Sequence, residues 1–459
     1  MKNLLRINAL LALVFTFGLF IQSCGDGDLP ALDKGVSNYN HNIASAWNGL
    51  FLEIERYQDG YRPGPAPRAL AYLGFAAYEA CVPGMPEYNS LAPLYSGLSV
   101  PAAESGEYHW PTVVNAVYGY LMPRFFSDAT TDQQQKISTL LALHENQFQA
   151  ETAPDVFARS KERGEAVAKA FWAWAITDQY GHEAHRDPFG TYDWQANYKK
   201  PGDWVATLPG PGKGAFPYWG KVRTFALPES EKICRKPLSY SENTNSALYA
   251  QAIEVYAQNT PTLSYEGEWL GEFWSDDIVG LTFAPPARWI AIAHQVITAE
   301  NSDLATALEA YAKVGMAIND AGVGCWNSKY HYNVERPQTY IRRLIDPNWN
   351  TNLENPLTGD KSITPSFPAY PSGHATFSAA GAETLASVFG YAYSMTDRCH
   401  EGRVEFVGTP RTFGSFYEMA QENAWSRVPL GVHFRMDAEE GVRYGTVIGR
   451  HVNNLPWKN

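Results

Sequence analysis

Cysteine is scarce in this chain, with 5 in 459 residues at positions 24, 81, 234, 325 and 399. So wide a scatter excludes a disulfide-stapled scaffold and lacks the close spacing of a metal-ligating motif. In an exported protein two of Cys81, Cys234, Cys325 and Cys399 have the option of pairing, and spacing selects no pair. Runs of basic residues are also missing. The 36 Lys and Arg stand against 48 Asp and Glu for a net charge of −12, which makes nucleic acid a poor partner. Any anion site must therefore be local and pre-organised, because bulk charge works against it. Beyond residue 21 no apolar run is long enough to span a bilayer. Segments alternating with period two are few, so little sheet is expected.

The start of the chain is a targeting segment. Lys2 and Arg6 precede an apolar run over 9–21 that is too short to cross a membrane comfortably. Ile21-Gln22-Ser23-Cys24 resembles a bacterial lipobox, in which Cys24 becomes the lipidated first residue after cleavage. The alternative is an ordinary signal peptide with an incidental cysteine. The lipobox implies an exported lipoprotein of the outer membrane, on its periplasmic or cell-surface face, held to the membrane through the lipid anchor only. Loss of Lys2 and Arg6 leaves 34 basic against 48 acidic residues and moves the net charge from −12 to about −14.

Helical periodicity recurs through the rest. Apolar residues at 43, 46, 47, 50, 51 and 54 share one face of a helix expected over 43–58. Further helices are expected over 66–81, 112–126, 132–151, 156–177, 245–258, 286–300, 305–321, 336–344, 373–389, 414–427 and 438–453. The chain thus reads as all-α, built of large helical bundles with long loops rich in Pro, Gly and aromatics. Its expected organisation is a leader over 1–23, a flexible tether over 24–40, an N-terminal helical region over 41–310 and a C-terminal core over 311–459. The last two are expected to pack as one globular unit. The longest irregular stretch, 181–238, either wraps the surface or serves function. Within it His182 and His185 have ligand chemistry, without a helix or strand to organise them.

Tyr370-Pro371-Ser372-Gly373-His374 opens the apolar run 375–389. A helix start exposes unpaired N–H groups and the positive end of the peptide dipoles, which together seat an anion. Ser372 suits the cap and can donate its hydroxyl, Gly373 permits close approach of a ligand, and His374 can exchange a proton near neutrality. Upstream lies Lys329-x6-Arg336-Pro337, and downstream Ser426-Arg427-x5-His433-x3-Asp437.

These three blocks, in order and without substitution, resemble the signature shared by vanadium-dependent haloperoxidases and type 2 phosphatidic acid phosphatases. The resemblance covers the last third of the chain tightly. Residues 217–225 and 273–277 look similar, more loosely, to segments of bacterial haloperoxidase-type members. It implies that Lys329, Arg336, Ser372, Gly373, His374, Arg427 and His433 bind vanadate, with phosphate able to occupy the same place. His433 is the expected vanadium ligand, Asp437 the group holding its far ring nitrogen, His374 the acid–base group, and Lys329 the cation that polarises bound peroxide. Asp276 and Asp277 either line the entrance or cap the helix expected near Pro286, the latter being favoured.

Trp326, three residues before Lys329, and Phe367, seven before His374, match halide-binding aromatics of some haloperoxidases. An apolar wall would help weakly hydrated bromide or iodide shed water. The expectation is a haloperoxidase that turns hydrogen peroxide and bromide or iodide, ahead of chloride, into hypohalous acid. The alternatives are an acid phosphatase cleaving phosphate esters through a phosphohistidine on His433, and a surface lipoprotein that only binds an oxyanion.

Overall fold

The computed structural model describes residues 34–189, 192–207, 214–258 and 263–459. The leader and the lipobox with Cys24 lie outside the described residues. Among them are fourteen α-helices, and the strands form one antiparallel pair, Met395–Asp397 with Arg411–Phe413. The packed chain begins ahead of residue 41: Val36 is buried, and the indole of Trp110 donates to the carbonyl of Lys34 at 3.0 Å.

The first five helices are α1 (Asn42–Glu55), α2 (Pro65–Cys81), α3 (Trp110–Phe125), α4 (Thr131–Glu151) and α5 (Pro154–Ala175). Local chemistry starts several of them. Proline occupies the first turn of α2, α3 and α5, where its missing N–H costs nothing. Thr130 and Gln133 form a reciprocal capping box at α4. The described residues within 181–238 form only short helical turns, among them α6 (Trp194–Asn197), and several of them are firmly held. The buried carboxylate of Asp320 accepts from the backbone N–H groups of Phe225, Ala226 and Leu227 at 2.7–2.8 Å. His185 pairs with Asp128, and among the described residues no cluster of His, Cys, Asp and Glu could hold a metal ion.

The later helices are α7 (Ala247–Tyr256), α8 (Tyr265–Phe273), α9 (Arg288–Ala299), α10 (Leu304–Tyr332), α11 (Pro337–Leu344), α12 (Gly373–Phe389), α13 (Phe416–Ser426) and α14 (Arg435–Asn453). Two depart from expectation in ways that matter. α10 was expected to stop at 321 but runs on through Gly322 and Gly324 to Tyr332, carrying Trp326 and Lys329 on helix. Interior glycines cost about 1 kcal/mol each in a free helix. Here Gly324 is needed, because a Cβ would come within 2.4 Å of the Tyr444 hydroxyl. α14 starts at Arg435 instead of 438, since the Asp437 carboxylate accepts from the Phe434 N–H at 3.0 Å and caps that end.

Glycine also sets how closely the central helices approach. On α14, Gly441, Gly445 and Gly449 recur every fourth residue and so share one face. Added Cβ atoms there would lie 2.6 Å from Ala375 Cβ, 2.2 Å from Thr376 O and 2.6 Å from Glu383 Cβ, all on α12. α2 and α10 cross in the same manner, Gly74 against Tyr311 and Gly315 against Leu70. The four thiols at 81, 234, 325 and 399 are free.

Candidate oxyanion site

The tight α12–α14 contact places the start of α12 beside the start of α14, and the Ser372 N–H donates to the Asp437 carbonyl at 2.9 Å. Ser372 caps α12 through its side chain, which accepts from the Ala375 N–H. All three cations expected to converge do so, each fully buried. Lys329 donates to the carbonyls of Pro368 (2.9 Å) and Ala369 (2.8 Å), leaving one of its three N–H groups. Arg336 donates to Phe367 O at 3.0 Å, to Val432 O at 2.8 Å, and from the same Nη1 to His433 Nε2 at 3.1 Å. Arg427 donates to Asp277 Oδ2 at 2.7 Å.

His433 Nδ1 sits 2.9 Å from Asp437 Oδ2. A carboxylate only accepts, so Nδ1 carries the proton and Nε2 presents its lone pair. Burial, then Arg336 and Lys329, holds the His433 imidazole well below its usual range, which keeps it neutral. Burial likewise pushes the Lys329 ammonium down and the Asp437 carboxyl up. The Arg336 guanidinium falls to about 9 for the same reason and remains a cation at neutral pH.

His374 Nε2 lies 2.7 Å from the carbonyl of Ser275 and 4.0 Å from Asp277 Oδ2. The carbonyl can only accept, so Nε2 bears hydrogen and Nδ1 is the basic nitrogen. Burial and the neighbouring Arg427 push this imidazole down to about 4. Trp326 and Phe367 pack with ring centroids 4.9 Å apart, and the Lys329 ammonium lies 5.6 Å and 5.1 Å from them. A cavity of about 380 Å³ shares this region's edge, but the site itself is a cavity of about 230 Å³ lined by Trp326, Phe367, Gly373, His374, Arg427 and His433.

Three contributors lie outside the motifs. Asp277 is not the helix cap expected near Pro286 but neutralises Arg427; α9 begins after Ala287 without any side-chain cap. Ser275 supplies the carbonyl for His374. Arg62 lines the cavity and donates to the Asp276 carbonyl. Asp276 itself is structural, its carboxylate gripped by Arg288 at 3.0 Å and His400 at 2.9 Å.

The donor set fits an oxyanion. Arg336 Nη2 and Arg427 Nε and Nη1 are buried without a hydrogen-bond partner among the described residues. A buried donor left without a partner costs about 1–3 kcal/mol, more on a charged group, so forked donors left over at one place call for a multivalent anion. Vanadate and phosphate share that geometry.

Fold and site together define a helical protein whose buried donors are arranged to suit an oxyanion. Residues 309–456 match the family model of the second helical-bundle domain of VCPO. The chain is 25% identical to vanadium chloroperoxidase of Curvularia inaequalis over 89% of its own length and 81% of that protein. It superposes on the first bacterial vanadium-dependent iodoperoxidase structure with a TM-score of 0.78 and 29% identity, covering 90% of this chain and 96% of that one. A holo-type bacterial vanadium-dependent chloroperoxidase shares the fold at 14% identity, with a TM-score of 0.60 and coverage of 86% and 94%. Residues 309–456 thus match a family model of the vanadium haloperoxidases, and the chain as a whole is similar to vanadium haloperoxidases in sequence and fold.

Proposed function

We propose that this chain is a vanadate-dependent haloperoxidase that oxidises iodide or bromide, ahead of chloride, with hydrogen peroxide. One observation carries the reading: buried Lys329, Arg336 and Arg427 converge with the His433–Asp437 pair, beside a wall of Trp326 and Phe367. Bound vanadate supplies a Lewis acid that makes peroxide electrophilic toward halide without changing its oxidation state.

The residues divide the work. His433 would hold vanadium through Nε2, its orientation set by the bond from Nδ1 to Asp437. Arg336, Arg427, Lys329, Ser372 and Gly373 would hold the oxygens. His374 is neutral and keeps Nε2–H on Ser275, so Nδ1 is available to take a proton from incoming peroxide. Trp326 and Phe367 would let a weakly hydrated halide lose water beside the Lys329 charge.

Reconstitution with orthovanadate tests this reading. Peroxide and iodide should then give triiodide, and phosphate should compete with the reconstitution. Brisk hydrolysis of p-nitrophenyl phosphate without vanadate-dependent halide oxidation would instead assign the site to phosphatase chemistry through His433. Neither activity, with phosphate still bound, would leave an oxyanion-binding lipoprotein.

Export and anchoring at Cys24 belong to the same proposal, supported by the basic and apolar start and the lipobox. Among the described residues no helix is long and apolar enough to cross a membrane. Mass spectrometry of the mature N-terminus should find diacylglyceryl-modified Cys24; an unmodified N-terminus beyond it would refute the anchor.

A further inference from the structure

Beside the oxyanion cavity lies a second one of about 380 Å³, and the two share Asp277, Ile278 and Leu353 as lining. Its size suits a small organic molecule. Part of the lining is apolar, from Leu281, Phe406, Pro429 and Leu430. Its charged lining is all acidic, and no Lys, Arg or His appears among the described residues that line it.

Most of those carboxylates already have a cation. Asp276 is held by Arg288, Asp277 by Arg427, Glu354 by Lys361 and Glu405 by Arg403. Glu268 and Glu272 are the exceptions: no cation pairs with either among the described residues, and the Glu272 carboxylate accepts from the Val407 N–H. Burial raises the Glu272 carboxyl, with Glu268 and Glu354 adding to the effect. A metal ion does not explain the arrangement, since no such cluster of described residues is close enough to hold one. A partly apolar chamber with two carboxylates that lack a cation, adjoining a site that makes an electrophile, suits an organic cation.

We infer that this second cavity seats the organic acceptor of the halogen, an electron-rich aromatic that carries an ammonium group, with Glu268 and Glu272 as its counter-charges. The inference rests on the haloperoxidase reading for its chemistry. In the transfer a ring carbon donates an electron pair to the halogen of hypohalous acid. The halogen–oxygen bond breaks, and the departing hydroxide leaves as water with the ring proton. No further oxidant is needed.

The test compares tyramine, a cationic phenol, with 4-hydroxyphenylacetate, an anionic one, in the vanadate-loaded enzyme with peroxide and iodide at low ionic strength. Enzymatic iodination should favour tyramine by about tenfold more than free hypoiodous acid does, and salt should erode the preference. Glu268→Gln, at an exposed position, and Glu272→Gln should lower it toward the free-reagent ratio while triiodide formation without phenol stays unchanged. Equal ratios for enzyme and free reagent, or no change in Glu268→Gln, would overturn the inference. Calorimetric titration of tyramine into the protein without vanadate or peroxide separates the two readings. Failure to make triiodide would sink the haloperoxidase assignment and the halogen-transfer role with it, while tyramine binding in the titration would still show the cavity as an organic-cation site. Absence of tyramine binding in that titration would sink the cavity assignment alone.

Discussion

His433 Nδ1 and Asp437 Oδ2 lie 2.9 Å apart, four residues from each other along the chain and both buried. The carboxylate also caps α14 through Phe434 N–H, so one side chain fixes both a helix start and an imidazole tautomer. Asp437→Asn should therefore weaken orthovanadate binding by about 10- to 100-fold, as loss of such a supporting contact does at metal-binding histidines. His433→Ala should abolish turnover with the circular dichroism spectrum unchanged. Full activity in the alanine variant would remove His433 from the centre of the site.

The aromatic wall makes a separate claim. Phe367 lies against Trp326 and under both Lys329 and Arg336. Phe367→Ala should raise KM for iodide several-fold, by loss of about 1 kcal/mol of contact, with a smaller change in vanadate affinity. Steady-state kinetics at varied iodide, paired with vanadate titration, would show the split. Equal losses in both would mean that the ring merely supports the cations.

Helix approach is open to test at Gly445, where a Cβ would lie 2.2 Å from the Thr376 carbonyl. Gly445→Ala must push α14 from α12, and overpacking of this kind costs about 1–3 kcal/mol. A lowered Tm should come with weaker orthophosphate binding, because α14 begins at the residues after His433. Unchanged binding despite the lower Tm would show that the displacement does not reach the site.

Stability should also depend on pH through a histidine remote from the site. Burial lowers His109, at the start of α3, to about 4. Between its ordinary value near 6.5 and that value the unfolded chain binds more protons than the folded one, so stability is full above 6.5 and falls as pH drops toward 4. His109→Gln, which takes up no proton, should flatten this decline in Tm measured between pH 7 and 4. A parallel decline in the variant would assign the acid lability to other groups.

Long amphipathic helices were legible in the sequence to within a few residues, as for the expected 373–389, because burial of one face repeats every turn. α8 was missed: Gly267 and Gly271 weaken its pattern, and Ser264 starts it by accepting from the Gly267 N–H. The strand pair was missed because three residues per strand are too few to show a period. α10 was cut short at glycines that only packing against other segments explains.

By itself the sequence determined the local chemistry: which residues could cap, cradle or ligate, and in what order along the chain. The four-residue spacing from His433 to Asp437 allows contact where the residues between them turn helically. Only the tertiary structure decided that Asp277, 150 residues from Arg427, neutralises it, or that the Ser275 carbonyl orients His374. Those pairings depend on how helices pack, and packing is set by contacts between distant segments that no local period records.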